Sequence, residues 1–305
     1  MAEITASLVK ELREKTGAGM MECKKALAET SGDLEQAIDF LRKKGLSVAE
    51  KKAGRVASQG LVGVIVDGIE GAIVELNSET DFVARNAEFQ SFLSDTLTVA
   101  LAQKGDMEAI KVADMGDKSV ADTLTALIAK IGENMSLRRS GFASVENGVV
   151  VPYMHTAIVP NQGKIGVLIA LESTADAAKL NELGKKIAMH VAAASPRFLS
   201  TEDVDADTIA HEKGIYEEQA KASGKPANII EKMVEGRLRK FYEEVVLLEQ
   251  AFIMDPDKKI KDVVAEATKE LGTPVVLKSY VRFGLGEGLA KKEEDFAAEV
   301  NSCLK

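Results

Sequence analysis

Chemistry needs particular side chains at particular spacings, and this 305-residue chain offers few candidates. Its three histidines, His155, His190 and His211, are scattered, and neither Cys23 nor Cys303 sits near one, so no metal-ligand spacing forms and no metal is expected. No Gly-x-Ser-x-Gly elbow occurs, and the many carboxylates form no isolated, apolar-flanked pair that could divide acid and base roles. FGLGEGLA, with Gly284, Gly286 and Gly288, follows a predicted strand and superficially suggests a phosphate loop. Its glycine spacing matches neither the dinucleotide fingerprint nor the P-loop, and Glu287 would repel phosphate. No cofactor is expected, and an enzyme is the weaker class. What remains to explain is the stretch Glu79, Thr80, Asp81, Phe82, Val83. Taken alone, Asp81 would cap a helix and Phe82 would be buried.

The elements that position this stretch follow from hydrophobic period. GLVGVIVDGIEGAIVELNS, residues 60–78, reads as a hairpin turning around Asp67, Gly68 and Gly71. Helices follow at 87–103 and 120–131, then a strand near 135–144 and a turn at Glu146, Asn147 and Gly148. A second hairpin, VVVPYMH to KIGVLIALES, turns across 160–163 and leads into a helix carrying Leu180, Leu183, Ile187 and Val191. Residues 60–78 align by pattern with 148–173, which predicts a duplicated α+β core. The halves differ after the second strand, where the later half continues Thr174, Ala175, Asp176, Ala177. A phenylalanine needed for packing in both halves would recur, so its absence there suggests that Phe82 acts outside the shared core.

Before the core, three short helices are expected. Thr5 caps the first, with Leu8 and Leu12 on one face and Gly17 at its end. Met20, Cys23, Ala26 and Leu27 form the stripe of the second. Asp33 caps the third, which carries Leu34, Ala37, Ile38 and Leu41 and ends at Lys43, Lys44 and Gly45, with 48–59 as a linker. So small a bundle barely buries itself and suits partner binding better than catalysis. Residues 205–248 read as two long antiparallel helices joined at 223–226, with Ile209, Ile215 and Ala220 facing Ile229, Met233, Leu238 and Phe241. AFIMDP, a helix at 260–271, a strand at 275–283, the glycine-rich turn and a C-terminal helix complete the chain.

A chain 46% hydrophobic and 29% charged is too apolar for disorder and long enough for two or three packed domains. Its 39 basic residues fall short of 48 acidic ones, and the resulting charge of −9 argues against a nucleic-acid partner. The one basic run, Arg42, Lys43, Lys44, Lys51, Lys52 and Arg55, lacks interleaved stacking aromatics and reads as a solvated helix end and linker. No apolar run approaches the roughly 18 residues that span a bilayer. The first residues lack the basic and apolar regions of a secretory signal, and the two distant cysteines fit reduced thiols, so a cytoplasmic protein without a membrane partner is expected.

Ten stretches, in order, carry a resemblance: LVKELREKTGAGMMECKKALAET, SGDLEQAI, ELNSETDFVARN, AKIGEN, GKIGVL, MHVAAASP, SGKP, EKMVEGR, FIMDP and RFGLGEG. Together they resemble the bacterial elongation factor Ts family over nearly the whole chain. The resemblance implies a non-enzymatic guanine nucleotide exchange factor for the GTPase elongation factor Tu, bound in its GDP-loaded and nucleotide-free states. It implies an N-terminal three-helix UBA-like domain with linker at 1–55, core halves at 56–144 and 145–200, a helical hairpin at 201–248, a return to the core at 249–283 and a C-terminal helical module at 284–305. Thr80, Asp81, Phe82 and Val83 would enter the partner beside its nucleotide and disturb the Mg²⁺ site. Arg13, Met20 and Met21 would dock on the GTPase domain, although the methionines read equally as core. Ile131 and Gly132 would sit near the wedge. His155, Ile253 and Met254 would meet a distal domain, each reading alone as ordinary packing. TAIVPNQ after His155 is longer than the family's usual connection. Self-association through the hairpin stays open, as do an adaptor using only the N-terminal bundle and an enzyme with an unrecognised site in the core.

Overall fold

The computed structural model describes residues 4–221 and 226–289. Three helices come first: α1 at Ala6–Thr16, α2 at Met20–Glu29 and α3 at Leu34–Lys52. The Thr5 and Asp33 side chains accept from the Leu8 and Gln36 N–H groups, and Gly17 closes α1 in the left-handed region. Leu12, Cys23, Ala26, Leu27, Ala37 and Leu41 form their common core. The expected helix end at Gly45 is corrected, because α3 continues to Lys52. Gly45 is buried, and a Cβ there would lie 3.7 Å from that of Ala129, so the missing side chain allows helices to approach instead of ending one. The basic run is correspondingly less free than a solvated linker. Arg42 donates twice to Asp122, both at 3.1 Å, Lys44 reaches Glu22 at 2.8 Å, and the Lys52 ammonium donates to the Gly132 carbonyl.

The first half of the core runs β1 (Gln59–Asp67), β2 (Glu70–Ser78), a single turn α4 (Asp81–Ala84) and α5 (Ala87–Ala102). Then come α6 (Met107–Val112), the two-residue strands β3 (Asp114–Met115) and β4 (Lys118–Ser119), α7 (Val120–Ile131) and β5 (Met135–Ser144). The second half has β6 (Gly148–Val159), β7 (Gln162–Glu172) and α8 (Ala177–Ala194). The segment after His155 forms no separate loop: it extends both strands to a turn at Pro160 and Asn161, from which Gln162 donates to the Gln90 carbonyl and Ser94.

Two antiparallel half-sheets result, β5-β2-β1 and β6-β7-β10, once β10 (Val276–Gly284) returns against β7. They join where Val62 and Gly63 pair with Gly163 and Gln162. Strand alternation gives each half-sheet two apolar faces. Val62, Val64, Ile73 and Ala143 meet Val150, Leu168, Ala170 and Phe283 at the centre. Outward-facing Leu61, Val74 and Leu76 pack under α5 and α7, while Val149, Val151, Ile169 and Leu171 pack under α8 and α11 (Ile260–Leu271). The architecture is mixed α+β.

The halves correspond in detail. Gly60 and Gly148 open the hairpins at φ 120° and 132°, and a Cβ at either would strike the carbonyl of Leu76 or Leu171 on the paired strand. A Cβ on Gly71 would come within 2.8 Å of Val150, and one on the aligned Gly166 within 2.8 Å of Val62.

Beyond α8, α9 (Ala206–Lys221) and α10 (Ala227–Val245) form the arm, whose connecting residues 222–225 lie outside the described region. Its seam differs from expectation. Ile215 and Ile229 are exposed, while Ile209, Tyr216, Leu238, Phe241 and Tyr242 cluster with Val204 and Val246 near the base. Arg237 lies over the Tyr216 ring and donates to Gln219, while Ala220, expected in the seam, and Val234 are buried. β8 (Ala251–Phe252) and β9 (Asp255–Lys259) make a small hairpin from AFIMDP before α11. The expected C-terminal helix and Cys303 lie outside the described residues.

Candidate functional site

The unmatched stretch of the first half is held at its base and open at its tip. Thr80 is extended, with φ −124° and ψ 159°, and donates twice to one carboxylate: its N–H to Glu133 Oε2 at 3.0 Å and its hydroxyl to Glu133 Oε1 at 2.7 Å. Glu79 returns the contact, accepting the Asn134 N–H at 2.6 Å, and Asn134 Nδ2 donates to the Arg55 carbonyl at 2.7 Å. Ser78 Oγ donates to the Thr80 carbonyl at 2.9 Å. After this base comes the single turn α4. Val83 and Ala84 are buried in the first-half core and seat the turn, so Val83 faces inward, unlike Asp81 and Phe82. Asp81 is exposed and is the first residue of the turn, the cap position being Thr80, and Phe82 is 78% exposed. The reading of Phe82 as a packed core residue and Asp81 as a cap is therefore corrected.

Beside Phe82 lies a groove of about 1250 Å³ whose walls include Val56, Lys164, Arg282, Leu285 and Glu287. The glycine-rich turn forms one side. Its N–H groups serve carboxylates of the chain itself: Gly286 donates to Glu75 Oε1 at 2.8 Å and Gly284 to Glu287 Oε2 at 3.3 Å. Burial opposes ionisation of Glu287, but the Arg282 hydrogen bond and charge, the Gly284 N–H and Arg139 outweigh it and hold its carboxyl below the usual range. Glu75 itself is fully buried on β2 and takes Arg138 at 2.9 Å and Arg139 at 2.5 Å, which offsets the cost of taking its charge out of water. Periodicity gave no signal for this carboxylate, since nothing in one strand shows which residues its neighbours contribute.

The other residues singled out in the sequence are dispersed. Arg13, Met20 and Met21 are exposed on the helical module, Met21 at 78%, so neither methionine is core. Half-buried Ile131 and the left-handed Gly132 end α7 directly before Glu133, which brings them to the base of the Phe82 stretch. Exposed His155 stacks on Tyr153 with ring centroids 6.2 Å apart, and Tyr153 Oη lies 3.2 Å from its Nδ1. Ile253 and Met254, each 45% exposed, cap the β8–β9 hairpin. That turn is tied to a buried histidine. The Ile253 N–H donates to His190 Nδ1 at 3.3 Å, so the hydrogen-bond network assigns the ring proton to Nε2, which donates to Gln250 Oε1 at 2.9 Å. Burial pulls the His190 pKa below its ordinary value against the opposing Gln250 bond, and the ring is neutral.

Among the described residues, no group of three or more His, Cys, Asp or Glu side chains has metal-holding geometry, and no helix is long and apolar enough to cross a membrane. The site offers an exposed aromatic ring and carboxylate on a braced turn. A family model described as Elongation factor TS matches residues 79–287, beginning at the stretch that carries Phe82. The chain is 62% identical over 308 aligned positions to Elongation factor Ts of Rhodospirillum rubrum, with 100% of each chain covered. It is 61% identical to the protein of that name from Paramagnetospirillum magneticum, covering 98% of this chain and 97% of the relative, and 58% identical to that of Rhodospirillum centenum, covering 99% of each.

Proposed function

The chain belongs to the elongation factor Ts family of translation elongation factors, and from that premise we propose that it is a guanine nucleotide exchange factor for elongation factor Tu, without bond-making chemistry of its own. The observation that carries the proposal is Phe82, 78% exposed on a turn whose next two residues are buried. An isolated aromatic left in water on a seated turn gains when a partner covers it. Phe82 wedges between partner side chains, Asp81 disturbs the shell that holds Mg²⁺, and Thr80 and Val83 fix the turn from which they project. Loss of that ion unscreens the diphosphate oxygens and loosens the P-loop contacts together.

Magnitudes favour a concerted action. A thousandfold faster GDP release needs a barrier lower by about 4 kcal/mol, whereas covering one aromatic supplies about 2–3 kcal/mol. The remainder comes from Asp81 and from docking energy realised in the nucleotide-poor complex. Arg13, Met20, Met21, Ile131 and Gly132 dock on the GTPase domain, and His155, Ile253 and Met254 on a distal one. Linkage makes the effect reciprocal, so rebound nucleotide expels the factor.

The finer organisation belongs to the same reading: a UBA-like module at 1–55, a core arising by duplication at 56–144 and 145–200, a helical arm at 201–248, a return at 249–283 and a C-terminal module from 284. It works in the cytoplasm and, with a charge of −9, without direct nucleic-acid contact. The test is release of a fluorescent GDP analogue from elongation factor Tu. Acceleration by the purified chain supports the proposal; release at the spontaneous rate overturns it.

A further inference from the structure

We propose that Glu133 is a positioning residue for the Phe82 turn: by gripping both donors of Thr80, its carboxylate sets where Phe82 is presented. The inference rests on the exchange-factor reading. Thr80 lies two residues before Phe82, and its extended backbone sets the direction in which α4 starts. Two donors on one carboxylate fix an orientation as well as a distance, and ionised acceptors make the stronger bonds.

The carboxylate is itself well supported. Glu133 follows Gly132, left-handed at φ 86°, whose carbonyl receives the Lys52 ammonium from the end of α3. The next residue, Asn134, is gripped by Glu79, so two adjacent pairs exchange carboxylates: Glu133 to Thr80 and Glu79 to Asn134. Arg55 adds an ion pair to Glu79 at 3.5 Å. Val83 and Ala84 hold α4 to the core from the other side, so releasing Thr80 frees the base of the turn without unseating it. A turn already ordered gives up less freedom on docking, and the ring then arrives in one place. In the second half, two residues replace this arrangement, and Ser173 Oγ simply accepts the Ala175 N–H.

The test measures release of a fluorescent GDP analogue from elongation factor Tu against factor concentration. Glu133→Ala is expected to lower the maximal release rate roughly tenfold or more, as misplacement of a reacting group does, with the half-saturating concentration changed less than about twofold because the distant docking residues are intact. Glu133→Gln keeps an acceptor and should recover part of the rate. Thr80→Val, which removes the hydroxyl donor alone, should lose about threefold and supplies the same contrast should Glu133→Ala unfold. The deciding comparison is Glu133→Ala in a Phe82→Ala background, where no further loss is expected. An equal loss in both backgrounds, or a wild-type maximal rate for Glu133→Ala, overturns the positioning role and leaves exchange standing. Unchanged release by Phe82→Ala alone overturns the wedge role on which the positioning rests, whereas the exchange reading itself falls only if the wild-type chain leaves release at its spontaneous rate.

Discussion

The two halves of the core solve one packing problem with the same parts and then diverge at single points. Each opens its hairpin on a glycine that the paired strand forces, and each caps its following helix with Asn86 or Asp176. Between Ser78 and its cap the first half has seven residues, 79–85, where the second, from the aligned Ser173, has two, 174–175. The second half departs elsewhere: fourteen residues past its cap stands His190, where the first half has the buried Ala100. The difference teaches that the shared parts make a rigid frame and that each departure bears on an exposed apolar turn, Phe82 in one half, Ile253 and Met254 in the other.

The largest effect expected from these differences is on stability. Glu75 is a buried charge at the position that aligns with Ala170. Although alanine suits the second half, Glu75→Ala should cost about 3 kcal/mol, near the low end for breaking a buried pair, because Arg138 and Arg139 are partly exposed and regain water. Urea unfolding checks it. A loss under about 1 kcal/mol would make the carboxylate interchangeable with its counterpart and blur the distinction between the halves.

Next comes Phe82→Ala. The maximal rate of catalysed GDP release should fall about a hundredfold, a barrier change of about 2.7 kcal/mol, while circular dichroism and the unfolding midpoint stay put because the ring packs against nothing in the core. A full-rate variant would leave the extra residues without a function.

The shared parts offer the complementary test. Gly60→Ala and Gly148→Ala should each cost about 2 kcal/mol, since both force a Cβ into a carbonyl at positive φ. Equal costs in urea unfolding sharpen the correspondence; a cost at only one site breaks it.

Much of this frame was legible in one sequence because alternation and caps are local: the hairpins, α5, α7, α8 and α11 lie where period and capping place them. What escaped was whatever depends on a neighbour distant in the chain. Gly45 looks like a helix terminator until Ala129 is seen beside it, 84 residues on. Ile215 and Ile229 fit an apolar seam by spacing, yet both are exposed, while Val234, not singled out, is buried. The exposure of Phe82 ran against its local reading and was signalled by setting one half against the other and by the family resemblance. Glu133 had no such aid, since a carboxylate after a left-handed glycine carries no local sign that a threonine 53 residues earlier will occupy it.

The smallest effect separates the halves by pH. His190 is neutral in the fold, with its pKa held below its ordinary value of about 6.5 by burial, because protonating Nδ1 would turn the acceptor for the Ile253 N–H into a donor. Near pH 6.5 and below, the unfolded chain takes up a proton that the folded chain refuses. The stabilisation is therefore complete above that range and declines as pH falls towards the lower folded value, by at most about 1.4 kcal/mol per pH unit for one proton. His190→Gln keeps an acceptor and a donor but cannot titrate, so lowering the pH from 7.5 to 5.5 should lower the urea midpoint of the wild type relative to that of the variant. Carboxylates titrating elsewhere shift both proteins alike and cancel. A difference independent of pH would mean that His190 takes up its proton as readily in the fold as in the unfolded chain, and that the Ile253–Met254 turn does not depend on a neutral ring.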